Sequence, residues 1–219
     1  MPTSARTKVR VKTAKGRTTS STRWLARQLN DPYVKAAHAQ GLRSRAAFKL
    51  AEIDDKFHLL RPGAKVADIG SAPGGWSEIA AARVGAGNVA AIDILDMTPV
   101  KGVKFLCADF NDPAAGEFIA HTLGNGADVV LSDIAPNTTG VASLDHLQIM
   151  ALVEQAYRFA ESILRPGGAF VAKVRQGGTE AALLSEMKKR FTQVRHFKPD
   201  SSRKESAETY VVATGFKTS

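Results

Sequence analysis

The sequence predicts an α/β fold: a seven-stranded, mostly parallel sheet with helices on both faces and an antiparallel last strand. Three observations carry this expectation. From residue 65 onward, short apolar runs alternate with helical stretches, and strands that are near-continuous apolar runs belong to parallel sheets covered on both sides. The stretch VADIGSAPGGW, residues 66–76, reads as a buried strand, a turn with adjacent glycines Gly74 and Gly75, and a helix start. Only the ten residues PDSSRKESAE lie between the final two strands, too few for a crossover helix, so that pair is antiparallel.

At 219 residues the chain suits one well-buried core. Residues 1–21 are basic, hydroxyl-rich and almost without large apolar groups, a composition that builds no core, so they are expected to form a disordered extension to a single domain over 22–219. From Thr22 a short helix runs to a break at Asp31-Pro32, and a second helical patch ends at Gly41. Residues 42–60 place Leu42, Ala46, Phe48, Leu50, Ile53, Phe57 and Leu60 on a helical stripe, with Arg43 and Arg45 outside it. After the stop Arg61-Pro62-Gly63, strands are expected at 65–70, 88–94, 103–109, 127–133, 168–174, 192–198 and 209–216. Helices are expected at 76–84, 113–123, 144–164 and 179–190.

The net charge of +9 is unevenly placed. Residues 1–49 hold twelve Lys and Arg against one acid, Asp31, whereas the other 170 hold eighteen against twenty. A near-neutral core with a basic N-terminal end points to a polyanionic partner, nucleic acid above all, with a solvated tail as the plainer reading. The single cysteine, Cys107, sits in the apolar run VKFLCADF and reads as a core thiol. No stretch approaches membrane-spanning length and no secretory core is present, so the cytoplasm is the expected location. A mitochondrial transit peptide is the competing reading of the acid-free N-terminus, against which stands its lack of apolar positions for an amphipathic face. The five histidines show no zinc-ligand spacing.

In open α/β sheets the ligand sits beyond the carboxyl ends of the strands. Asp68, Asp93, Asp109 and Asp133 all lie at or near such ends, and Asp93 follows Gly75 by eighteen residues, where a dinucleotide fold holds its ribose-binding acid. Asp109 is placed to reach the amino edge of an adenine. The turn lacks the G-x-G-x-x-G fingerprint, because Gly70 is followed by Ser71-Ala72-Pro73-Gly74-Gly75, which disfavours a nicotinamide cofactor. A helix N-terminus that receives a carboxylate suits the zwitterionic end of S-adenosylmethionine. Asp68 is then either the anion beside its ammonium or a structural acid bonding the loop backbone.

DIGSAPGGW, SDIAPNTTG (132–140), GLRSRAAFKL (41–50) and KPDSSRKESAETYVVATG (198–215) closely resemble the FtsJ/RrmJ methyltransferases, the bacterial 23S rRNA uridine 2′-O-ribose methyltransferases. The resemblance covers residues 22–217, and four separated motifs in the right order make it specific. It implies a Rossmann-like, S-adenosylmethionine-dependent methyltransferase fold and a Lys-Asp-Lys-Glu tetrad that falls on Lys49, Asp133, Lys173 and Glu208. The implied cofactor contacts are Gly74, Trp76, Asp93, Asp109 and Asp133, with Asp68 and Gly75 added from the reading of the turn. Ser71 stands where the family more often has alanine. The implied partner is ribosomal RNA, within the large ribosomal subunit, with the enzyme a monomer.

Methyl transfer to a ribose hydroxyl releases a neutral thioether, so the leaving group needs no acid, whereas the hydroxyl must lose its proton. Burial and a second cation fit a lysine for that task, and Lys173, on a buried strand with Lys49 nearby, is the expected proton acceptor. Asp133 and Glu208 position it. The competing reading leaves Lys173 charged and only orienting the hydroxyl. Arg23, Lys35, Arg43 and Arg45 are candidate RNA phosphate contacts; Trp24 and Tyr33 are either base-stacking or core residues. Three rivals remain at this level: a nicotinamide-dependent oxidoreductase, a non-catalytic ribosome-assembly factor, and a 2′-O-methyltransferase acting on transfer RNA or an mRNA cap.

Overall fold

The computed structural model describes residues 9, 11, 16, 18–124, 126–136, 142–175 and 181–218. Most of the basic N-terminal stretch, and the side chains of Arg23 and Trp24, lie outside the described residues.

Three helices precede the sheet: α1 (Thr19–Asn30), α2 (Pro32–Ala39) and α3 (Ala46–Phe57). Thr18 caps α1 by accepting the Ser21 N–H. Asp31 ends α1 and caps α2, its Oδ1 accepting the N–H groups of Tyr33 and Val34, while Pro32 sits at the first helical position, where its missing N–H is no loss. The apolar stripe from Leu42 predicts an earlier start for α3 than is found. Residues 42–45 stay out of the helix because the Arg43 N–H donates to the Glu78 carboxylate and its guanidinium reaches the Pro73, Thr98 and Pro99 carbonyls.

The sheet and its helices follow as β1 (Val66–Ile69), α4 (Gly75–Val84), β2 (Val89–Asp93), β3 (Val103–Cys107), α5 (Pro113–Leu123), β4 (Ala127–Ser132), α6 (Ala142–Ile163), β5 (Leu164–Arg175), α7 (Ala181–Arg190), β6 (Phe191–Phe197) and β7 (Glu208–Phe216). The strand order is β3-β2-β1-β4-β5-β7-β6. The first five strands are parallel, and β7 runs antiparallel to both β5 and β6, as the short connector requires. The order reverses between β1 and β4, which opens a crevice at their carboxyl ends. Among the described residues no helix is long and apolar enough to cross a membrane.

Side chains alternate across a strand, and the sheet divides the core accordingly. Ala67, Ile69, Val130, Phe170, Ala172, Val211 and Ala213 pack with α5, α6 and α7. Val66, Val129, Leu131, Val171, Tyr210 and Val212 pack with Leu50 and Ile53 of α3 and Trp76 and Ala80 of α4. By the same alternation Asp68, Asp133, Lys173 and Glu208 belong to the α3/α4 face.

Cys107 departs from expectation: it is exposed. Apolar flanks predict burial only for a strand covered on both faces, whereas β3 is the edge of the sheet and none of its five residues is fully buried.

Candidate active site

Four charged side chains converge where the α3/α4 face meets the ends of β4 and β5. Ser132 and Ala172 are paired in the parallel register, so Asp133 and Lys173 are the next residues along adjacent strands. Lys173 Nζ donates to the Asp133 carbonyl at 2.6 Å and to its Oδ1 at 3.0 Å. The antiparallel pairing sets Lys173 against Tyr210 and Arg175 against Glu208, so the first residues of β7 arrive at the carboxyl end of β5. From above, α3 lowers Lys49 onto the same spot, its Nζ 3.1 Å from Glu208 Oε2 and 5.6 Å from the Tyr210 ring centroid. The structure therefore brings together all four residues of the expected tetrad. Lys49 and Lys173 are both buried.

Tyr210 is a fifth member that the sequence reading passed over. Its hydroxyl donates to Asp133 Oδ1 at 2.8 Å, and burial, then the charge and hydrogen bond of Asp133, raise its pKa well above the ordinary value, so it remains a donor. The available signal was its position two residues after Glu208 on one strand. Burial pushes the Glu208 carboxyl up, but the charges of Lys49 and then Lys173 outweigh it and hold it below its usual value.

Beside the tetrad, at the reversal point, lies a cavity of about 530 Å³. Gly70 and Ala72 of the turn, Asp93, Asp109, Asp133 and Ile134 line it. A larger cleft of about 770 Å³ opens at the other end of the sheet between Arg61, Asp128 and Arg195, but none of the tetrad or strand-end acids reaches it, so chemistry rather than size identifies the site.

Gly70 has φ +71°, and a Cβ there would lie 2.2 Å from Ile134 Cγ1, so only glycine allows this turn. Gly74, Gly75 and Trp76, expected as ligand contacts, do not line the cavity. A Cβ on Gly74 would meet Val100 and Arg43, and one on Gly75 would meet Ser44 Oγ at 2.3 Å. The missing side chains of these glycines admit neighbouring protein. The Trp76 ring is buried against Tyr210 and its indole N–H donates to the Ala46 carbonyl, leaving its backbone, at the start of α4, as its route to a ligand.

Arg43 and Arg45, expected as phosphate contacts, spend their Nη donors within the fold. Arg43 clamps residues 98 and 99 to the turn at Pro73, and Arg45 bonds the Asp31 carboxylate and the Ser201 carbonyl. Both therefore have a structural role. Their partners are distant in sequence, so composition alone did not reveal them. Tyr33 packs against Phe48 with ring centroids 5.5 Å apart and the rings tilted by 59°, and Arg45 lies over its ring, a packing role.

The model of the FtsJ-like methyltransferases matches residues 42–216. The chain belongs to this family. It is 56% identical over 96% of its length to a protein of Azorhizobium caulinodans named ribosomal RNA large subunit methyltransferase E, covering 89% of that protein. It is 57% identical over 99% of its length to the protein of that name from Granulibacter bethesdensis, covering 94%. Among solved structures it superposes on a putative ribosomal RNA methyltransferase of Plasmodium falciparum with a TM-score of 0.70 and 29% identity, over 80% of this chain and 98% of the other.

FtsJ-like methyltransferases use S-adenosylmethionine, and the residues present fit it. Asp68 is buried and accepts from Ser77 Oγ at 2.5 Å through Oδ2, while its Oδ1 has no hydrogen-bond partner. An orphaned carboxylate oxygen beside a helix N-terminus is the complement of an α-ammonium and α-carboxylate pair. Burial, opposed by the Ser77 hydrogen bond and reinforced by the charges of Asp133 and Asp93, raises the Asp68 pKa to about 7, as expected of an acid lacking its cation. Asp93 uses its two oxygens on the Ala72 and Leu95 N–H groups and retains lone pairs for ribose hydroxyls. Asp109 bonds Asn111 through Oδ1.

Proposed function

We propose that the enzyme transfers a methyl group from S-adenosylmethionine to the ribose 2′-hydroxyl of a uridine in 23S rRNA, within the large ribosomal subunit. The observation that carries this reading is the placement of Lys173 Nζ, held by two acceptors of Asp133, a residue of the cofactor cavity's lining. The names of its relatives support a large-subunit RNA substrate.

When bound, S-adenosylmethionine supplies an electrophilic methyl on a sulfonium, which departs as a neutral thioether. The chain's own task is to orient the attacking oxygen and take its proton. Once Lys173 has given up its third proton, its two N–H bonds match the two acceptors of Asp133, and the remaining tetrahedral position of Nζ carries the lone pair for the hydroxyl proton. As the O–C bond forms, the proton moves from O2′ to Lys173 Nζ. Tyr210 and Lys173 together fix the Asp133 carboxylate, and Lys49 and Glu208 neutralise one another across the mouth of the site.

Incubating unmodified large subunits with labelled S-adenosylmethionine and mapping the modified ribose tests the reaction. Label at one 2′-oxygen of 23S rRNA is the expected result; label on a base, or on transfer RNA alone, overturns it. A rate that stays flat with pH through the neutral range would remove Lys173 as proton acceptor.

A further inference from the structure

On the side of the tetrad away from the cofactor cavity is a second pocket, of about 300 Å³. Arg27, Arg45, Arg203 and Glu205 line it together with Lys49 and Glu208, so it shares a wall with the reaction centre. The cofactor cavity takes Asp133 into its lining but neither Lys49 nor Glu208. The tetrad thus forms a partition between two cavities.

The charge and hydrogen-bonding state of this pocket ask for an anion. Four cationic side chains meet the carboxylates of Glu205 and Glu208 in the lining and of Asp31 behind Arg45 and Arg203, a net charge of +1, with Glu208 already paired with Lys49. Arg203 is held by its Nε on Asp31, which leaves its Nη2 buried without a hydrogen-bond partner, as is Arg45 Nε. A buried, unpaired guanidinium N–H costs free energy unless a ligand accepts from it. Arg27, in the last turn of α1, is exposed, and its side chain makes no hydrogen bond or ion pair among the described residues.

We propose that this pocket seats the phosphodiester next to the target ribose, with Arg27 and Arg203 as its ligands. The inference rests on the ribose-methylation reading above. The 2′-oxygen and the 3′-phosphate of a nucleotide sit on neighbouring ribose carbons, so an enzyme that works on the first from Lys173 meets the second beside its active site. Guanidinium groups match the oxygens of a phosphodiester in pairs. Holding that phosphate fixes the ribose and leaves the choice of base to other contacts, since a phosphate carries no sequence information.

Arg27 tests the proposal because its removal strands no intramolecular partner. In methylation of large subunits, Arg27→Ala is expected to raise KM for the subunit about tenfold, the usual worth of one charge-assisted hydrogen bond. Turnover and the calorimetric affinity for S-adenosylmethionine stay within about twofold. The slope of log KM against log salt falls by about one. Arg27→Lys restores the slope and most of KM, and Arg27→Glu is worse than alanine. Wild-type KM and salt slope in Arg27→Ala overturn the proposal. If the wild-type enzyme leaves the subunits unmethylated, the reaction reading falls, and the salt slope of binding to isolated 23S rRNA judges the pocket: a slope unchanged by Arg27→Ala overturns it.

Discussion

Lys173→Ala removes the amine proposed as proton acceptor while leaving the cofactor cavity intact, since Lys173 is not part of its lining. Turnover is expected to fall by about 10²–10⁴-fold, the usual worth of a positioned proton acceptor, with S-adenosylmethionine affinity within about twofold; single-turnover assays and calorimetry separate the two. Asp68 has the opposite profile, acting on binding and through pH. Its carboxyl titrates near pH 7 in the free protein, and an ammonium ligand needs the ionised form. Affinity for S-adenosylmethionine should therefore rise by up to about tenfold per pH unit below pH 7 and level above it, and Asp68→Asn should flatten that dependence in calorimetry across the range. Stability moves the other way. A folded-state pKa above the unfolded value of about 3.9 means the folded chain holds this proton more tightly, so the Asp68 contribution to stability erodes as pH climbs from about 4 to about 7. The cofactor-free protein gains binding power as it loses stability at this residue.

Among the elements, the joint at Asp31 has the largest mechanical role. One buried carboxylate caps α2 through Oδ1 and pairs through Oδ2 with Arg45, before α3, and Arg203, in the loop before β7. Arg45 and Glu52 then hold the backbone of Ser201 from two sides. Asp31→Ala strands two largely buried guanidinium groups and removes a cap. It is expected to cost about 3–5 kcal/mol, seen as a fall in Tm of roughly 10 °C; Asp31→Asn, which keeps the cap, should cost less. The sequence marked Asp31 only as a break between helices. Its partners lie 14 and 172 residues away, and no local pattern encodes such a meeting. Strand direction was more legible, because continuous apolar runs specify parallel burial and the ten-residue connector specifies the final reversal. Lys49 and Glu208, 159 residues apart, were identified through family resemblance. Spacing alone does not say that α3 lies over the start of β7, and Tyr210 went unnoticed for the same reason. The edge position of β3 was also invisible locally, and it left Cys107 in solvent.

For the whole molecule, charge is distributed by region: the domain beyond residue 49 is close to neutral and the N-terminal part is basic. Thr18 begins the capped helix α1, so residues 1–17, with six Lys and Arg, are the segment whose removal leaves the described helices intact. Deleting them is expected to weaken binding to 23S rRNA. The salt slope should fall by about 0.7–0.9 for each phosphate that is no longer neutralised, while S-adenosylmethionine affinity stays unchanged. A salt slope equal to that of the full chain in filter binding would show that these charges do not touch RNA.

The reversal of β7 has a consequence for how this enzyme can change. Glu208 and Tyr210 reach the reaction centre only because both fall on the same beat of a two-residue rhythm, opposite Arg175 and Lys173. The loop at 198–207 is anchored at Ser201 and Arg203, so only the stretch between Arg203 and β7 can change length at modest free-energy cost. One residue added within β7 before Tyr210 would shift the rhythm and send one of these side chains through to the α5/α6/α7 face. Beyond the Arg203 anchor the length of this hairpin can therefore drift, whereas the phase of β7 cannot.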